Sequence, residues 1–71
     1  MLRETIYGII CFASKPVTFA WIGRQLENDG ENHSDVAISN ALQSLVEEGY
    51  IRKEYQGEVL VYSEIDLDQA P

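Results

Sequence analysis

Cysteine occurs once in 71 residues, at Cys11, so no internal disulfide can staple this chain, and its thiol chemistry suits a reducing compartment such as the cytoplasm. Histidine also occurs once, at His33. No second ligand stands near it at metal-site spacing, so no metal and no cofactor is expected. Gly-rich phosphate loops, paired Cys-x-x-Cys motifs and the His-Glu-x-x-His pattern are all missing. Cys11 has no identifiable base and reads as a small buried hydrophobe, so no catalytic role is expected. The acids Glu27, Asp29, Glu31 and Asp35 lack the ordered ligand loop and closing glutamate of a calcium site and read as a solvated acidic turn. Bases are few: five Lys and Arg against twelve Asp and Glu give a net charge of −7, a balance that disfavours indiscriminate binding of polyanions. Long hydrophobic runs are absent too. The most apolar uncharged stretch, Thr5 to Ser14, is far too short to span a bilayer, and no membrane role is expected.

What remains is a chain 45% hydrophobic, enough for a real core in one small domain. Charge is unevenly placed. Residues 1–26 hold Arg3, Lys15 and Arg24 against Glu4, whereas residues 27–48 hold six acids and no base. Residues 49–62 balance, with Arg52 and Lys53 against Glu54 and Glu58, and Glu64, Asp66 and Asp68 follow in an acidic tail over 63–71.

The period of the apolar residues predicts three helices followed by strands. Leu2, Ile6, Ile9, Ile10 and Ala13 recur every three or four residues and define a helix over 2–13. Its other side carries Tyr7, Gly8, Cys11 and Phe12 in place of charges. A helix apolar on two sides is buried all round or shared between chains, and in so small a domain Tyr7, Cys11 and Phe12 are expected to form a dimer interface. Pro16 ends the helix and opens a short extended piece with Val17. Thr18 is placed to cap a second helix from Phe19 to about Asn28, with Phe19, Ile22 and Leu26 inward. Gly23 inside it is expected to mark a close backbone approach.

Ser34 or Asp35 then caps a third helix running to Glu48, ended by Gly49. Ala37, Ile38, Ala41, Leu42 and Leu45 face inward; Val36, Ser39, Asn40, Gln43, Ser44 and Glu47 face outward. Tyr50–Tyr55 and Glu58–Tyr62 are rich in β-branched and aromatic residues and read as a hairpin turning at Gln56-Gly57. The expected fold is mainly α with a small β-hairpin, the domain covering 1–62.

Thr18 to Leu26, a capping threonine followed by apolar and small residues and a leucine, and Val36 to Arg52, a helix passing through Leu45-x-x-x-Gly49-x-Ile51-Arg52 into a strand, carry a resemblance. Together with the element order they resemble the winged helix-turn-helix domains of small prokaryotic, archaeal and phage regulators, with three helices and a two-stranded wing. The likeness covers residues 2–62. Two features depart from it: the turn from Asn28 to His33 is longer and more acidic than usual, and the third helix carries no Lys or Arg outward.

The resemblance implies a transcriptional regulator that binds double-stranded DNA as a homodimer, with the third helix in the major groove. Asn and Gln amides can pair with adenine, and an apolar side chain can touch the thymine methyl. Val36, Ser39, Asn40 and Gln43 are therefore the candidate base readers. Lys15, Arg24, Ser44, Arg52 and Lys53 are the candidate phosphate contacts. The alternative is a winged helix used for protein contacts, its acidic surface binding a basic partner as an inhibitor or assembly subunit of a nucleic-acid machine.

Overall fold

The computed structural model describes residues 2–65. Three helices, α1 (Leu2–Ala13), α2 (Phe19–Asn28) and α3 (Asp35–Glu47), precede a hairpin of β2 (Ile51–Gln56) and β3 (Val59–Glu64). A two-residue strand, β1 (Val17–Thr18), precedes α2. The sheet therefore has three antiparallel strands in the order β1-β3-β2, one more than the expected wing, because Val17 pairs with Tyr62 and Thr18 with Val61.

Local chemistry sets the helix ends. The Thr18 hydroxyl accepts the Trp21 N–H at 3.1 Å, and the Ser34 hydroxyl accepts that of Ala37 at 3.1 Å, so each side chain satisfies a backbone donor that has no intrahelical partner. Beyond Glu48, Gly49 turns left-handed at φ +83 while Tyr50 N–H bonds Leu45 C=O and Gly49 N–H bonds Val46 C=O. This double bond pattern stops α3 and aims the chain into β2. Gly30 (φ +80) ends α2 in the same way.

The core is built from Ile6 and Ile10 of α1, Ile22 and Leu26 of α2, Ile38, Leu42 and Leu45 of α3, and Val17, Ile51 and Tyr62 of the sheet. Six of these side chains are less than 2% exposed, so one copy of the chain already closes its own core. Among the described residues no buried side-chain polar atom lacks a partner.

Two expectations need correction. The hairpin turns at Gly57-Glu58, because Gln56 pairs with Val59, and Gly57 takes the left-handed φ of +66 that opens such a two-residue turn. Strand β3 accordingly runs to Glu64, past the expected boundary at 62. Gly23 marks no close approach: a Cβ there would meet nothing within 4 Å. It leaves a shallow groove of about 330 Å3 beside Phe19, Arg24, Glu27 and Asp35.

Candidate nucleic-acid interface

Helix α3 buries Ile38, Leu42 and Leu45 and leaves Val36, Ser39, Asn40, Gln43 and Glu47 exposed. Val36 is 69% exposed, unusual for so apolar a side chain. All four candidate base readers thus stand on the solvent side of one helix, brought together by the 3.6-residue period that buries the opposite face. The Gln43 amide donates to the Glu47 carboxylate at 3.2 Å, which uses one of its two N–H groups.

Ser44 is committed elsewhere. Its hydroxyl donates to Glu48 at 2.9 Å and accepts from the Arg3 guanidinium at 3.1 Å, and Arg3 also pairs with Glu48. This triad ties the first turn of α1 to the end of α3. Arg3, absent from the sequence-derived site, is what occupies Ser44; a contact 41 residues away in sequence leaves no local signal.

The remaining candidate phosphate contacts, Lys15, Arg24, Arg52 and Lys53, are exposed and form no ion pair among the described residues. Lys15 follows α1, Arg24 lines the groove beside α2, and Arg52 and Lys53 lie in β2. Beyond Ile51 the whole of β2 is exposed, so the hairpin extends past the core as an arm. Arg52 is level with Ser63 and Lys53 with Tyr62, so the two bases project from opposite faces of that arm. Lys53 shares the face of Tyr62 and Ile51, the one packed against the helices. Tyr55, near the tip, is 70% exposed and packs on little.

The expected dimer stripe divides. Tyr7 meets Tyr50 edge-on at 5.6 Å between ring centres, and Cys11 lies half-buried beside Glu64. Burial, then the Glu64 carboxylate, pushes the Cys11 thiol above its ordinary range, with the Tyr7 hydroxyl working the other way. Contact with Cys11 and partial desolvation raise the Tyr7 phenol. Burial, then Tyr55, raises Tyr62. Phe12, by contrast, is 90% exposed on a different flank of α1.

His33 faces Glu31 at 3.0 Å, and no three metal-ligating side chains converge among the described residues. Among these residues no helix is long and apolar enough to cross a membrane. Asp66 and Asp68 of the expected acidic tail lie outside the described residues. No family model, curated protein or solved structure matches the chain.

Proposed function

We propose that the protein is a winged-helix regulator that binds double-stranded DNA as a pair of copies, with the outward face of α3 in the major groove. The observation that carries this reading is the exposed row of Val36, Asn40 and Gln43 on α3. From Val36 to Gln43 the helix rises about 10 Å, roughly three base-pair steps. The row offers an apolar contact and two amides, the side-chain set that suits thymine methyl groups and adenine edges. With one N–H of Gln43 held by Glu47, its carbonyl and second N–H remain for a base. The projecting arm of β2 supplies the wing, with Lys53 on its helical side facing the duplex.

The test is a titration of matched and scrambled duplexes with the wild type and the Asn40→Ala/Gln43→Ala variant. The regulator reading expects loss confined to the matched duplex, about 1–3 kcal/mol for each good base pair lost. Phosphate contacts would persist and keep the non-specific binding. Equal loss on both duplexes, or no binding by wild type at low salt, overturns it.

A second reading, a module for a basic protein partner, is favoured by Glu47 and Glu48 at the end of α3 and by the lack of any base on that helix. Under it, Asn40→Ala/Gln43→Ala is silent toward DNA, and Glu47→Lys/Glu48→Lys abolishes the protein complex.

A further inference from the structure

Between α1 and α2 runs a groove of about 320 Å3, lined by Gly8, Ile9 and Phe12 of α1 and by Trp21, Gln25 and the cap residue Asp29 of α2. Phe12 is 90% exposed, more than any other large apolar side chain among the described residues. Gly8 is exposed too, and a Cβ built on it would meet nothing within 4 Å, so the middle of the groove is open to close approach. Asp29 keeps its N–H on the Gln25 carbonyl at 3.1 Å, which sets it about 12 Å past Trp21 along the axis of α2. It is exposed and, among the described residues, forms no ion pair. No other charged side chain among those residues lines the groove.

We propose that this groove receives a basic amphipathic helix from a protein partner, with apolar residues against Ile9, Phe12 and Trp21 and a lysine or arginine at Asp29. The proposal goes beyond both readings above, since none of these residues belongs to α3 or β2.

Two features select that occupant. Both walls are helices, whose backbone N–H and C=O groups are bonded within each helix. They offer no strand edge, so an extended segment would lay its own backbone polar groups against apolar walls without partners. A helix satisfies its backbone internally and presents side chains alone. Charge then fixes the sign. Asp29 attracts a base and repels an acid, and the adjoining stretch 27–48 holds six acids and no base, which draws a basic segment in from a distance. A second copy, itself at −7, brings the wrong sign.

Spacing completes the pattern. The rise from Trp21 to Asp29 equals eight residues of helix, so the partner carries apolar residues at i and i+4 and its base at i+7 or i+8. Two turns of contact bury less than a stable complex needs, so the association is weak and reversible, in the manner of transient signalling encounters.

The experiment is fluorescence anisotropy with an alanine-rich peptide of about 20 residues, long enough to hold a helix in water, carrying two leucines four residues apart and lysines one turn further on. A second peptide has glutamates in place of the lysines. The full chain is expected to bind the lysine peptide in the micromolar range and the glutamate peptide at least about tenfold more weakly. Phe12→Ser removes the exposed wall and Gly8→Leu fills the floor, and both should lose the lysine peptide. Gly8→Leu also replaces a helical glycine with a better helix former, so its thermal midpoint should rise, which separates a blocked groove from a damaged fold. Asp29→Lys should reverse the preference between the two peptides. Glu58→Lys, the same change of charge at the hairpin turn, should alter either affinity by less than about twofold. Equal effects of Asp29→Lys and Glu58→Lys would mean attraction to net charge alone and overturn the proposal. Binding that survives both Phe12→Ser and Gly8→Leu, or a wild type that binds neither peptide, overturns it too. Sedimentation of the peptide-free protein covers the competing occupant: no dimer that depends on Phe12 is expected, and one that Phe12→Ser abolishes assigns the groove to a second copy against the proposal. Asn40 and Gln43 lie outside the groove, so the duplex titrations succeed or fail separately.

Discussion

The amide of Gln43 donates to the carboxylate of Glu47 across one turn of α3, at 3.2 Å. The contact orients a side chain proposed to read a base, and it also sets a negative charge on the face proposed to meet phosphates. The two effects separate by substitution. Glu47→Gln removes the charge and keeps an acceptor for Gln43, so affinity should rise on matched and scrambled duplexes alike, more at low salt than at high. Glu47→Ala removes both, so scrambled-duplex affinity should rise while the matched-to-scrambled ratio falls. If the ratio is the same in the two variants, Glu47 does not position Gln43.

Lys53 and Arg52 are neighbours in sequence but face opposite sides of the hairpin arm. A duplex lying along the helical side of the arm can reach Lys53 and not Arg52. Lys53→Ala should therefore reduce the slope of log affinity against log salt by about 0.9, the share of one phosphate contact, and Arg52→Ala should leave it unchanged. Equal reductions from both would mean that the arm enters a groove edge-on with a strand on either side.

The ends of α2 and α3 were legible in the sequence because a cap is local chemistry. Thr18 and Ser34 each reach an N–H three residues on, and Gly49 needs only its own freedom at positive φ. The core faces were legible from the period of their apolar residues. The extended piece at Val17 was legible from Pro16, but its pairing into the sheet was not, since Val17 finds its partner, Tyr62, far along the chain. The division of the outer side of α1 was not legible for a related reason. Tyr7 and Phe12 are both apolar and off the core stripe, yet five residues place them about 140° apart around the helix. Only the position of Tyr50 decides that Tyr7 is covered from within while Phe12 stays open. The exposure of the row from Val36 to Gln43 was legible because burial of Leu42 and Leu45 dictates what stands opposite them.

Arg3 and Glu48 join α1 to the cap of α3, and the two partners should respond unequally to removal. Their side chains are 42% and 45% exposed, so the pair itself contributes no more than about 1 kcal/mol. Glu48 also sits at the negative end of the α3 dipole, where an acid is disfavoured by about 0.3–1 kcal/mol. Glu48→Ala loses the pair and that repulsion together and should leave stability nearly unchanged. Arg3→Ala leaves Glu48 and Glu47 unscreened at the helix end and should cost about 1 kcal/mol or somewhat more. Urea melts at low and high salt would show it, with the Arg3→Ala penalty shrinking in high salt. A larger loss for Glu48→Ala than for Arg3→Ala would contradict the dipole argument.

Cys11 and Tyr7 give the fold an alkaline limit. Both groups are raised in the folded state: Cys11 from an ordinary 9.0 by burial and then by Glu64, against the opposing Tyr7 hydroxyl, and Tyr7 from 10.0 by Cys11 first and then by slight desolvation and Glu64. A group that holds its proton more tightly when folded stabilises the fold fully below its unfolded value, and that stability is lost as pH rises through the folded value. The thermal midpoint should therefore be insensitive to these groups near neutral pH and decline from about pH 9 upward, first through Cys11 and then through Tyr7 together with the likewise raised Tyr62. Cys11→Ala removes the earlier component, so its midpoint should stay level further into the alkaline range than wild type. Glu64→Gln takes away the negative charge beside the thiol, which lowers the folded value of Cys11 toward 9.0 and shrinks the same decline without deleting the thiol. Thermal melts of the three proteins between pH 7 and 10.5, a span that covers both ordinary values, check the assignment. If Cys11→Ala and wild type fall along the same curve, the alkaline loss belongs to another group and the contact between α1 and the end of β3 is not what sets it.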